Sequence, residues 1–149
     1  MTRLIVCVAS CHLLAGCAVN MAPQGQPAAP VQATGTQSST SAVSKTVVAG
    51  ARYQLSFFTS LHADCTSIGY PVVRVLAAPA HGSLTTEEAT DYPAYARDNQ
   101  RYDCNLRKVP GTRLFYQSEP NFAGTDTAVV EVIYPSAEAR TITFGLTVK

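Results

Sequence analysis

Tryptophan is absent and methionine occurs only twice. Charge is scarce, with 14% of residues Asp, Glu, Lys or Arg, against about 25% in an ordinary domain. Eleven basic and ten acidic residues leave a formal net charge of +1. No strong field therefore draws the chain to nucleic acid or to an anionic membrane surface, and no nucleic-acid partner is expected. No apolar run approaches the roughly 20 residues of a membrane-crossing helix. There is no heptad pattern and no glycine period, which excludes a coiled coil and a collagen-like chain. A length of 149 residues holds one ordinary domain rather than a multidomain machine. What is present is nine prolines and nine glycines, the punctuation of a turn-rich β domain with a linker.

Met1, Thr2 and Arg3 make a short n-region with one positive charge. Residues 4–14 (LIVCVASCHLL) are an eleven-residue apolar run interrupted by His12, which matches the h-region of an export signal. The run ends in Leu14-Ala15-Gly16-Cys17: an aliphatic residue, two small residues, then cysteine. This resembles the lipobox of bacterial lipoproteins. The resemblance implies a signal peptide over 1–16, a diacylglycerol (palmitate-type) thioether on Cys17, and acylation of the new amino terminus. The residue types suit that chemistry, because the peptidase needs small side chains before the cut and only a thiol forms the thioether. Ala18, where aspartate would retain a lipoprotein in the inner membrane, implies the outer membrane. Two or more acyl chains hold a protein stably to a bilayer, where one does not.

With Cys7 and Cys11 in the signal and Cys17 lipidated, Cys65 and Cys104 remain. They are an even pair in an oxidising compartment, and a disulfide is expected. Closing a loop of about 40 residues contributes on the order of 4 kcal/mol in the chain-entropy picture. The competing reading is a metal or redox pair. It has no C-x-x-C spacing, and only His62 and His81 could assist.

Residues 18–44 (AVNMAPQGQPAAPVQATGTQSSTSAVS) carry no charged side chain and no apolar period. Such composition buries too little surface to offset its ordering entropy. A flexible tether is expected over 17–45, with a root-mean-square reach of about 30 Å. All charges except that of Arg3 lie from Lys45 onward.

Residues 46–149 read as strands. Tyr53-Gln54-Leu55-Ser56-Phe57 alternates. Pro71-Val72-Val73-Arg74-Val75-Leu76 is β-branched and short. Ser83-Leu84-Thr85 follows the Pro79-Ala80-His81-Gly82 turn, and Arg113-Leu114-Phe115-Tyr116 follows Pro110-Gly111. Residues 127–134 (TAVVEVIY) stop at Pro135-Ser136, and Ile142, Phe144, Leu146 and Val148 then alternate with polar neighbours or glycine. This is a hairpin pattern inside a sandwich. The one helical candidate is a single turn over 86–90. Pro79-x-His81-Gly82-x-Leu84, then Tyr116-x-x-x-Pro120-x-Phe122-x-Gly124-x-Asp126, resembles bacterial Ig-like and cadherin-like domains of envelope proteins. Ser118 and Ala128 stand where that family often has proline and an aromatic residue. The resemblance implies an all-β fold: a single Ig-like antiparallel β-sandwich with one disulfide.

Within that motif, Gly82 and Gly124 are expected to supply positive φ. Asp126 is expected to accept bonds from turn amides near Gly124, and Phe122 to plug one end of the sandwich. Some cadherin-like modules bind calcium. Asp126 lacks the clustered carboxylates that calcium needs, so no metal and no cofactor are expected.

Catalytic templates are missing: G-x-S-x-G, H-E-x-x-H, the P-loop and G-x-G-x-x-G do not occur. His62 with Asp64, His81 with Ser83, and Glu87-Glu88 are the nearest approximations. Each reads more simply as a turn histidine or a solvated carboxylate. Residues 91–105 (DYPAYARDNQRYDCN) carry Tyr92, Tyr95, Arg97, Arg101 and Tyr102 with no strand period. Tyrosine and arginine combine large contact area with a polar tip. Cys104 would pin one end of the loop. Two readings stay open: a recognition surface, or tyrosines covering a sheet edge while the arginines pair with Asp91, Asp98 and Asp103.

The expectation is a non-enzymatic outer-membrane lipoprotein, facing the periplasm or the cell surface. It would bind another envelope protein or a glycan, in adhesion or assembly. The alternatives are a structural accessory of a secretion or pilus apparatus docked by strand addition, and a periplasmic enzyme or enzyme inhibitor.

Overall fold

The computed structural model describes residues 38–149. The expected signal, Cys17 and the expected tether up to residue 37 lie outside the described residues. Nine strands run in order: β1 (Ser38–Val47), β2 (Arg52–Phe58), β3 (Ser60–Leu61), β4 (Ser67–Gly69), β5 (Val72–Ala77), β6 (Gly82–Asp91), β7 (Val109–Ser118), β8 (Gly124–Ile133) and β9 (Ala139–Val148). A 3-10 turn at Tyr102–Leu106 precedes β7, and no α-helix occurs among the described residues.

A four-stranded sheet, β1-β9-β8-β5, faces a three-stranded sheet, β2-β7-β6, while β3 and β4 pair separately. Setting β6-β7-β2 against β5-β8-β9 is the immunoglobulin-like arrangement. The core follows from period-two alternation. Ile142, Phe144, Leu146 and Val148 of β9 and Val130 and Val132 of β8 point inward. From the opposite sheet Leu55, Phe58, Leu114 and Tyr116 meet them in one cluster. Each large side chain buried this way contributes about 1.5–3 kcal/mol.

Four details depart from expectation. Strand β1 already runs from Ser38, ahead of the expected domain boundary at 46, and pairs with β9 along its whole length. That pairing is parallel, so the four-stranded sheet is mixed rather than wholly antiparallel. The ladder needs main-chain donors and acceptors and does not need apolar side chains. Only Val47 of β1 is fully buried. Residues 86–90 are not a helical turn but the middle of β6, which pairs with β7 from Gly82↔Ser118 to Asp91↔Val109. Gly82 has no positive φ; only Gly124 of the two does, at 147°. Glycine is required at 82 because a Cβ there would lie 2.5 Å from the Tyr116 ring and 2.6 Å from the Gln117 carbonyl oxygen.

The residues of the P-x-H-G and Y…D motif converge on one buried carboxylate. Asp126, on β8 and 5% exposed, accepts hydrogen bonds from the backbone N–H of Ala80 (2.9 Å), His81 (3.0 Å) and Thr127 (2.8 Å). The Tyr116 hydroxyl donates to it at 3.0 Å. The donors therefore come chiefly from across the sandwich, ahead of β6 and from β7, and not from the turn near Gly124. Phe122 packs against the core edge and stacks on His81 with ring centroids 4.1 Å apart. Burial opposes ionisation of Asp126, but the three N–H donors and the phenol outweigh it and hold the carboxyl below its ordinary value. Burial, then the bond to the Asp126 carboxylate and its charge, pushes the Tyr116 phenol up to about 12.

The two shifts act at opposite ends of the pH scale. Asp126, lowered by folding, contributes stability above the unfolded carboxylate value, lost as pH falls through its folded value. Tyr116, raised by folding, contributes stability below about pH 10 that is lost as pH climbs toward 12. Tyr116→Phe should lower unfolding free energy at pH 7 by about 1–3 kcal/mol. It should also flatten the alkaline decline relative to the native chain, as read by urea melts at pH 8, 10 and 11.5. An unchanged alkaline slope would rule out this bond as its source.

Candidate functional site

At the opposite end of the sandwich, where β8 turns into β9, a cleft of about 470 Å³ opens. Its floor is the β2–β3 region from Ser56 to Leu61. One wall is the loop ahead of the 3-10 turn, with Pro93, Tyr95, Asn99 and Arg101. The other is the β8–β9 turn with Tyr134, Glu138 and Arg140.

The loop is held by three devices. The Cys65–Cys104 disulfide, spanning 39 residues, ties it to the segment between β3 and β4. A small second core of Leu61, Cys104 and Val109 lies beneath, with Phe57, Cys65 and Tyr95 packed against it. The Asn105 side chain clamps the main chain of Tyr95, accepting from its N–H at 2.9 Å and donating to its carbonyl at 2.8 Å. Cys104 has no exposed surface, so the disulfide is also part of the packing.

The five loop residues separate. Tyr95 and Arg101 line the cleft. The Tyr95 hydroxyl shares a 2.9 Å hydrogen bond with the Thr59 hydroxyl, and Arg101 Nε donates to the Leu61 carbonyl at 2.6 Å. Tyr92, Arg97 and Tyr102 lie outside it and are exposed. Lys108 sits 5.8 Å from the centre of the Tyr92 ring. The expected partner Asp91 is bound instead by Arg113 of β7, at 3.1 Å. Among the described residues Arg97 and Arg101 make no ion pair, with Asp98 and Asp103 or with any other carboxylate.

Tyr134, Glu138 and Arg140 went unforeseen. Tyr134 continues the inward parity of Val130 and Val132, and Arg140 that of Ile142 and Phe144. A phenol and a guanidinium at the ends of two core-facing rows mark the mouth of a sandwich, and that was the readable signal. Arg140 Nε donates to Glu138 at 2.8 Å, and its guanidinium lies 5.2 Å from the Tyr134 ring centre. Burial raises the Tyr134 phenol above its ordinary value; the Arg140 charge opposes this, and Glu138 and Tyr95 add to it. Tyr134 is therefore a neutral donor at physiological pH.

Two carboxylates from the approximations to catalytic pairs have settled partners. Asp64 accepts from the Thr66 hydroxyl (2.6 Å) and N–H (2.9 Å), which lowers its pKa. Glu87 lies between Arg52 and Arg113, whose hydrogen bonds lower its pKa. Among the described residues no three His, Cys, Asp or Glu side chains converge as a metal site requires. The chemistry available in the cleft is hydrogen bonding, aromatic contact and attraction of negative charge.

Fold and site together define an immunoglobulin-like sandwich with a disulfide-fixed cleft at one end. No family model, curated protein or solved structure matches the chain.

Removing the disulfide by Cys65→Ala with Cys104→Ala should destabilise the domain by about 2–4 kcal/mol. Amide exchange should accelerate more across residues 92–108 than in β8 and β9. Uniform acceleration across the domain would show that the bond does not act on the cleft wall.

Proposed function

We propose that the chain is a binding module of the bacterial envelope and not an enzyme. Lipidated Cys17 holds it to the outer membrane, and its end cleft receives the ligand. The observation that carries this reading is the fixation of Tyr95 and Arg101. Disulfide, second core and Asn105 clamp order the loop before any ligand arrives, and a pre-ordered loop loses less entropy on binding. A loop that merely covered a sheet edge would need neither a half-buried, carboxylate-free arginine nor a cleft.

The lipobox resemblance supports the anchor. A tether ahead of the sandwich leaves the cleft free to reach its target from the membrane. Adhesion and envelope assembly both use such a module.

A second reading rests on a different surface. Among the described residues β5 pairs only with β8, which leaves its other edge without a partner strand there. Val72, Val75 and Leu76 on it are 61%, 47% and 50% exposed. An apolar free edge suits addition of a strand from another protein, as in an accessory of a secretion or pilus apparatus.

Photo-crosslinking in intact cells separates the two. With a photoreactive residue at Ser136, on the cleft rim, and another at Leu76, on β5, the first reading expects a discrete adduct from position 136 alone. An adduct from 76 alone favours strand addition and removes the cleft reading. Intact-mass analysis tests the anchor: the native product should begin at Cys17 and carry the mass of its acyl chains, and a free thiol at that position would refute it.

A further inference from the structure

Resting on the cleft reading, we propose that the cleft takes an acidic saccharide, a uronic-acid type of sugar whose carboxylate is received by Arg101 and Arg140. Among the described residues Arg101 is half-buried and without a carboxylate partner. A guanidinium withdrawn from water without a counterion costs free energy, which an arriving anion recovers. Its Nε is committed to the Leu61 carbonyl. That bond orients the plane and leaves the two terminal nitrogens, the pair that grips a carboxylate bidentately. Arg140 differs in being exposed and ion-paired with Glu138 through its Nε, a pairing that leaves its own two terminal nitrogens for an anion. Among the described residues the charged side chains lining the cleft are these two arginines and Glu138, a surplus of one positive charge.

The rest of the lining selects a sugar over an apolar ligand. Ser41, Thr59, Ser60 and Ser136 bring hydroxyls, and Tyr95 and Tyr134 bring phenols whose ring edges and faces suit the apolar patches of a pyranose. About 470 Å³ is the scale of a small-molecule site.

The test uses the full chain with its disulfide intact and titrates digalacturonate, neutral digalactose and tetraglutamate, read by calorimetry and by chemical shifts of the cleft residues. Digalacturonate is expected to bind in the cleft, with digalactose at least about tenfold weaker, and added salt should weaken the acidic sugar selectively. Arg101→Gln should reduce affinity at least about tenfold, and Arg101→Lys, which keeps charge but loses the fork, should restore only part. Arg140→Gln, at an exposed position, should cause a severalfold loss without altering melting, so the proposal remains testable if Arg101→Gln fails to fold. Equal binding of the two disaccharides, or binding of tetraglutamate alone, overturns the acidic-sugar assignment and leaves the cleft reading standing. No shift of any cleft residue with all three probes overturns both.

Discussion

A single carboxylate joins the two sheets. Asp126 belongs to the four-stranded sheet, yet the groups that satisfy it are the Ala80 and His81 amides leading into β6 and the phenol of Tyr116 on β7. A buried charge is costly unless its lone pairs are filled, and here four donors fill them. Hydrophobic burial holds the sheets together, but it is indifferent to small slips. The Asp126 bonds set the register, because displacing any of these three elements strands an anion in the core. Gly82 follows from the same constraint: the Tyr116 ring lies where its Cβ would be.

That end of the sandwich is closed. The other end is not, and the difference lies in what terminates the core-facing rows. Toward Asp126 the rows finish in a satisfied polar knot with Phe122 stacked over its edge. Toward the β8–β9 turn they finish in Tyr134 and Arg140, side chains with an apolar stem and a polar tip. Such side chains cover a core while leaving their tips in water. The loop over residues 92–101 cannot close this end either, because the disulfide and the Asn105 clamp hold it as a wall. A cleft therefore follows from the construction of one rim.

Alternation made β8 and β9 readable, since both are half-buried strands whose core face is entirely apolar at its centre. The Cys65–Cys104 bond was readable by counting, once the other three cysteines were assigned to the amino-terminal segment. β1 and β6 were obscured for a common reason. Each is an outer strand fixed by a ten-residue ladder to a neighbour, and a ladder is made of main chain. Ser, Thr and Glu side chains report nothing about that. Of the recognition residues, Tyr95 and Arg101 reach the cleft while Tyr92, Arg97 and Tyr102 point elsewhere. An irregular loop has no period from which direction could be read. Tyr134 and Arg140 carried a readable parity signal at the ends of two core-facing rows, while Asn105 was missed because its clamp on Tyr95 lies within the same irregular loop.

The amino-acid order alone determined an all-β sandwich, its best hairpin and one covalent staple, because period-two patterning, turn residues and a cysteine count are local properties. Only the tertiary structure decided that Asp126 reaches across the sandwich, that β1 runs parallel to β9, and that two of five loop residues meet Tyr134 and Arg140. Those outcomes depend on which remote backbone amides and side chains arrive at the same point, and no local pattern encodes that.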